Sequence, residues 1–312
     1  MRRDGYATRR PPRLMKREIR RLLRRALGRK YDQWAIGIYT GRSPVHVAAS
    51  EHIENPVLTR KDVTDVQGEF VADPFMVRVD HTWHMFFEVL NRETAKGEIG
   101  LAMSSDALHW AYLRIVLSEP FSVSYPYVFQ WMGSYYMIPE SRRAGAVRLY
   151  EASKFPIRWS LVAELLRGDF VDSSVFRYEN RWWLLAETNP KIKHDTLRLF
   201  YADHLTGPWR EHPRSPIVQR NPRMARPAGR VLVLEDRLIR YAQDCYPTYS
   251  TRVRAFEVTE LTTSAYRERE VESSPILEPS GAGWNASGMH HIDPHPIDGG
   301  WWLACVDGRS AS

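Results

Sequence analysis

The chain reads as an all-β protein, a five-bladed β-propeller closed by an N-terminal strand, and three observations lead there. One motif recurs five times at a spacing near fifty residues. Its segments have the aromatic-rich alternation of short strands. A second half-motif closing in Trp follows the first three copies. Self-similarity at such a period marks repeat architectures, in which one unit cannot bury its own faces and must stack on its neighbours.

Each copy is a polar step (mostly before Pro or Ser), an apolar run, a turn, an aromatic run and an acid. The first starts at Asp73-Pro74 and ends at Trp83 to Glu88; the second runs from Tyr125-Pro126 to Glu140. The third runs from Asp172 through Trp182-Trp183 to Glu187, and the fourth from Arg226-Pro227 to Asp244. The fifth opens at Asp293-Pro294 and ends at Trp301-Trp302 to Asp307. The half-motif closes at Trp110, Trp159 and Trp209, with a weaker version over 253–258. Three to four strands per fifty residues make one antiparallel blade. The fifth copy shows only its two inner strands before residue 312, so Ala35-Ile36-Gly37-Ile38-Tyr39-Thr40 is expected to supply a third and close the ring, removing an exposed edge.

Two regions of different character divide the chain. Residues 1–30 carry thirteen Arg/Lys against two acids, whereas the rest, expected to be the propeller over 31–312 with blade starts near 73, 125, 172, 226 and 293, is mildly acidic. Met15, Ile19, Leu22, Leu23, Ala26 and Leu27 fall at helical spacing with an Arg-rich opposite face. This short basic helix or tail suits an anionic membrane surface or an acidic protein partner, or is simply a basic leader. Nothing in the propeller calls for nucleic acid. No apolar run reaches eighteen residues and no secretory leader is visible, so a cytoplasmic protein, peripheral at a membrane if the leader docks there, is expected. Two cysteines, Cys245 and Cys305, read as small buried residues.

In a propeller the inner strands all begin on one face, around the axis, and the second strands end there. The starts Asp73, Tyr125, Asp172, Arg226 and Asp293 are therefore expected to form a polar ring, with Glu88, Glu140, Glu187, Asp244 and Asp307 outside it. An acidic funnel with aromatic walls suits sugars, because carboxylates accept hydrogen bonds from hydroxyls. Candidate walls are Tyr125, Tyr127, Trp284, His290 and His291. Glycoside cleavage needs two carboxyl groups flanking one bond. The run Gly288 to His295 is dense in His, but strand alternation puts His291, Asp293 and His295 on one face and His290 on the other. No metal or cofactor is expected.

The Ala-Asp-Pro-Phe step at 72–75, the aromatic strand after it and the Trp-ending half-motif resemble glycoside hydrolase family 43 and its invertase relatives, which are five-bladed propellers. Phe70 to Phe75, Glu98-Ile99-Gly100, Ser124 to Phe129, Met137 to Glu140 and Gly288 to Asp293 more closely resemble the N-terminal domain of plant glucosamine inositolphosphorylceramide transferases and stand-alone bacterial relatives. The hydrolase resemblance implies that Asp73 is base or nucleophile and that Asp172 tunes the acid. The acid itself would be a Glu early in the fourth unit, where this chain has Ala225-Arg226-Pro227. Glu187, Asp244 or Glu140 is the substitute. The remaining ligand contacts are expected from Tyr125, Arg226, His290, His291 and Asp293. Three readings stay open: a carbohydrate-active enzyme, a non-catalytic propeller binding a glycan, glycolipid or sugar phosphate beside a glycosyltransferase partner, and an inert scaffold. An Arg at the funnel floor favours an anionic sugar, since a guanidinium matches such oxygens bidentately.

Overall fold

Each motif copy folds into one antiparallel sheet, and five sheets stand around an axis. The computed structural model describes residues 33–188, 193–235 and 237–311; the basic leader, residues 1–30, lies outside them. Blade 1 comprises Gly68–Val79, Thr82–Asn91, Lys96–Ser104 and Ala111–Leu117. Blade 2 comprises Ser124–Trp131, Ser134–Glu140, Ala146–Lys154 and Arg158–Arg167. Blade 3 comprises Phe170–Tyr178, Arg181–Thr188, Leu197–Ala202 and Arg210–Glu211. In blade 4 the innermost strand is two short pieces, Arg226–Pro227 and Leu232–Val233, followed by Leu238–Asp244, Arg252–Leu261 and Tyr266–Glu270.

Blade 5 takes its two inner strands, Ile292–Ile297 and Trp301–Arg309, from the end of the chain and its two outer ones, Trp34–Ser43 and His46–Ala49, from the beginning. The expected closure is thus present, with Trp34 to Gly41 pairing antiparallel to Arg309 to Trp302. Its apolar side chains explain why it stays. Ile36 and Ile38 are fully buried in one cluster with Val71, Met76 and Phe87 of blade 1 and Leu303 and Cys305 of blade 5. Tyr39 and Val47 join a second cluster with Ile239, Tyr241 and Ile292. The core is therefore a set of inter-blade seams, and the closing strand fills two of them.

The Trp that ends the half-motif has one job in three blades. Trp110, Trp159 and Trp209 each donate the indole N–H to a carbonyl three or four residues back, on Ala107, Pro156 and Leu205, at 3.0–3.2 Å. Each holds the turn between the third and fourth strands. Both cysteines are free and buried.

Ile38→Ala should lower stability by about 2–5 kcal/mol, the usual range for emptying a buried aliphatic site. Leu113→Ala, at a residue 48% exposed on an outer strand, should change it by less than about 0.5 kcal/mol. Urea denaturation of both variants checks the contrast.

Candidate binding and catalytic site at the propeller axis

The inner strands of blades 1, 2 and 3 share a device that the linear sequence conceals. Pairing skips from Ala72 to Phe75, from Ser124 to Tyr127 and from Val171 to Ser174, so each strand carries a bulge. Asp73, Tyr125 and Asp172 sit at the first bulged position with φ of 53°, 45° and 48°. Pro follows two of them, where no ladder donor is required. The expected strand starts are thus bulges within strands.

The innermost strand of blade 5 has no bulge, and this corrects the place of Asp293. Pairing runs unbroken from Ile292↔Val306 to Ile297↔Trp301. Asp293 opposes Cys305, two residues before the acid Asp307; Phe75, Tyr127 and Ser174 hold that level in blades 1 to 3. Asp293 is fully buried deeper in the channel, where it accepts from the Met76 amide (2.7 Å), Arg230 Nε (2.8 Å) and His295 Nε2 (2.8 Å). Burial would raise its carboxyl pKa, but Arg230 and His295 outweigh that and hold it well below the usual range. These three donors hold it as a structural carboxylate.

His290 and His291 take the fifth place instead. Asp307 accepts from the amides of Asp73, His290 and His291 at 3.0–3.1 Å and faces His290 Nδ1 at 2.8 Å. Burial pulls the His290 pKa down, yet Asp307 outweighs it and the net shift is upward. The His290 ring stacks on Trp34 at 4.0 Å, and Nε2 lies 3.7 Å from Asp73 Oδ1. Asp73, His290 and Asp307 offer ligand atoms within 4.8 Å of one another; the four N–H contacts onto Asp307 account for that proximity without an ion. His291 is fully buried, with neither ring nitrogen hydrogen-bonded. Burial lowers its pKa to about 4.

Arg226 is a counter-ion. Its Nε donates to Asp172 Oδ2 at 2.6 Å and lies 3.8 Å from Glu187 Oε2, while Nη1 lies 3.1 Å from His194 Nδ1. Gln243 Nε2 donates to the same Asp172 oxygen at 2.8 Å and is itself held by Ser250. The guanidinium stands over the Tyr249 ring, its carbon 5.1 Å from the centroid. With Nε and Nη1 engaged in this way, the guanidinium serves first as counter-ion to Asp172 and Glu187.

The acids then separate by environment. Burial, then the charge of Asp172, raise the Glu140 pKa to about 8. Burial raises Asp73 to about 7, with His290 opposing and Asp172 and Asp307 adding. Glu88 is raised well above its ordinary value by burial and by Asp73 and Glu140. Glu88 and Glu140 remain partly exposed and Tyr249 is 39% exposed, so solvent reaches the cluster. Glu187 does not suit a proton donor to an external group: it is fully buried, with Oε2 3.3 Å from His194. Asp244 accepts from Arg254 Nε at 2.8 Å and from the Tyr246 amide, with Arg223 3.6 Å away, so it is outside the cluster.

Two of the expected aromatic walls are plugs. Tyr125 is fully buried; its hydroxyl accepts from the Gly229 amide at 2.7 Å and lies 2.9 Å from Ser174 Oγ, tying blade 2 to blade 4 across the axis. A Cβ on Gly229 (φ 143°) would come within 1.7 Å of the Ile292 carbonyl oxygen, so only glycine fits. Tyr127 lies under Arg230, and Trp284 packs beside Gly37 and Gly308 of blade 5. Tyr249, His194 and Gln243 were not foreseen. The tyrosines after Asp244 were the only available signal. A separate open cavity of about 610 Å³, lined by Arg60, Lys61 and Arg92 among others, adjoins blade 1 and contains none of these groups.

The family model described as "Glucosamine inositolphosphorylceramide transferase 1, N-terminal" matches residues 29–309. A relative from Oryza sativa subsp. japonica, described as glucosamine inositolphosphorylceramide transferase 1, is 36% identical over 295 residues, covering 88% of this chain. The chain spans 40% of that relative's length. Among solved structures, a β-1,2-mannobiose phosphorylase from Listeria innocua aligns with a TM-score of 0.63 at 13% identity, covering 87% of this chain and 96% of that one. A thermostable family-43 glycoside hydrolase aligns at 0.51 and 14% identity, covering 67% and 78%. At these identities the structural likeness is one of fold.

Because Asp73 and Glu140 are raised in the folded chain, it binds more protons than the unfolded chain between about pH 4 and the folded values near 7 and 8. Their contribution to stability is full at the acid end and declines as pH rises through that window. Glu140→Gln should flatten the decline, read as urea midpoints from about pH 4 to 8.5. An unchanged slope would contradict a protonated Glu140.

Proposed function

Since the chain belongs to the glucosamine inositolphosphorylceramide transferase 1 N-terminal family, we propose that its axial site holds a sugar of a glycan or glycolipid and performs acid–base chemistry at a glycosidic bond. The observation that carries this is the Glu140–Asp172 pair. A partly exposed carboxyl that keeps its proton near neutrality stands beside a carboxylate fixed by Arg226 and Gln243. A carboxyl that keeps its proton, set beside one held by a guanidinium, is the arrangement that proton donation with charge stabilisation calls for. In this reading Glu140 protonates the leaving oxygen and Asp73, on the neighbouring blade, serves as base or nucleophile. Asp172 tunes Glu140 and lends charge to the sugar-binding face.

Arg226 favours a second reading. It stands where the hydrolase resemblance places the acid, and a site that has exchanged its acid for a counter-ion suits recognition without turnover. The chain would then present a glycan to a glycosyltransferase. The Oryza relative's name describes a transferase, and the chain matches two-fifths of that relative, so a transfer step is proposed only in concert with a transferase module, in the same or another polypeptide.

Glycan-array binding and release of a labelled leaving group, for the unmodified chain, Asp73→Asn and Glu140→Gln, separate the readings. The enzyme reading expects turnover to fall about 100- to 10,000-fold in both variants with binding nearly intact. Binding without turnover in the unmodified chain establishes the second reading. Neither binding nor turnover would sink both.

A further inference from the structure

Among the described residues three aromatic side chains are exposed, and two of them share one loop. Trp301 opens the strand whose far end carries Asp307, and it lies against Arg42. Tyr246 and Tyr249, 52% and 39% exposed, both belong to residues 245–251. That loop joins Leu238–Asp244 to Arg252–Leu261 in blade 4, at the strand ends that face the axial site. Single exposed aromatics are ordinary, whereas two on one short loop make a patch of the kind that marks a binding surface.

The loop holds its rings in place. The Cys245 amide donates to the Pro222 carbonyl at 2.8 Å and the Thr251 amide to the Asp244 carbonyl at 3.0 Å, so both ends are tied. Between them Ser250 is fully buried, and its Oγ donates at 3.1 Å to Gln243, the side chain that donates to Asp172. Thr251 Oγ1 closes onto the Thr248 carbonyl at 3.0 Å. Tyr249 thereby borders the acids, its ring centroid 5.1 Å from that of His194 and 6.0 Å from that of His290. Tyr246 lies farther out, its amide on Asp244, which stands outside the cluster. A guanidinium lies over each ring, Arg226 at 5.1 Å from the Tyr249 centroid and Arg223 at 4.6 Å from that of Tyr246. A cation over one face steadies a ring and leaves the rest of it open to contact.

We infer that loop 245–251 forms a second saccharide subsite, in which Tyr249 and Tyr246 stack against a sugar ring linked to the one held at the axial acids. The inference rests on the sugar-binding reading above and extends it from one sugar residue to two. Asp73 and Glu140 come from blades 1 and 2 and the tyrosines from blade 4, so two linked residues, rather than one, span them. The C–H face of a pyranose is apolar, and an aromatic face covers it without needing hydrogen-bond partners. Arg223, half-exposed beside Tyr246, offers N–H donors to hydroxyls at the edge of such a ring. Because the loop is tied at both ends, little has to be ordered when the sugar arrives.

NMR titration with methyl glycosides of the common hexoses, each beside disaccharides that contain the same hexose, tests it. In the set that binds, the disaccharide should bind more tightly than the methyl glycoside by about three- to tenfold for each ring engaged. Tyr249→Ala and Tyr246→Ala should each lower that ratio, whereas Tyr249→Phe, which keeps the ring, should preserve it. Near-UV circular dichroism confirms that the variants fold, and the comparison on the unmodified chain stands without them. Disaccharides binding no better than methyl glycosides would overturn the inference and leave the sugar reading standing. A disaccharide preference untouched by both alanine variants would also overturn it, by placing the second ring elsewhere. A loss in Tyr249→Phe as large as in Tyr249→Ala would overturn stacking in favour of a hydroxyl contact. No binding by any member would overturn the sugar reading and this inference together.

Discussion

Everything near the axis depends on three backbone bulges. Asp73, Tyr125 and Asp172 are held at positive φ, a region that costs a non-glycine residue about 1 kcal/mol or more. Aspartate tolerates it better than tyrosine does. Each strain is balanced by a bond to another blade: the Asp73 amide to Asp307, the Tyr125 hydroxyl to Gly229, the Asp172 carboxylate to Arg226. The bulges turn these residues towards the axis, and the axial bonds lock the blades against one another.

That arrangement forces charge into the interior. Asp293, Asp307, Asp172 and Glu187 are almost completely removed from water. A buried carboxylate is tolerated only with donors around it, and the fold provides them unequally. Asp293 has Arg230, His295 and an amide; Asp307 has three amides and a histidine. Asp172 has Arg226 and Gln243 on one oxygen and only the Glu140 carboxyl to complete it. The lower axis is thus satisfied and structural, while the upper axis is left in deficit. Removing one partner of a buried pair costs about 3–5 kcal/mol, which keeps the lower axis intact and confines adaptation to the upper cluster.

The functional reading follows from that gradient. Where donors run short, carboxyls keep protons into the neutral range, as at Asp73 and Glu140. Such groups can donate and accept protons. Arg226 makes the site unlike a simple pair of hydrolase acids, since a guanidinium that donates to Asp172 stands where a carboxyl would provide the proton.

Strand alternation, turn residues and the fifty-residue period are local properties, so the sequence by itself determined five blades, the closure by the strand around Ile36 and the recurrence of Trp110, Trp159 and Trp209 at like places. It also brought Asp73 and Asp172 to one face, because copies of a motif occupy like places in a repeat. Tertiary structure decided the rest. The missing bulge in blade 5 moves Asp293 two positions along the axis although its Asp-Pro step looks the same. Arg226 became a counter-ion because Asp172, 54 residues away in sequence, meets its guanidinium. Glu187 met His194 and Arg226, Asp244 met Arg254, and burial beside Asp172 left Glu140 with a raised pKa. Charge state is set by neighbours in space, and a linear motif carries no record of them.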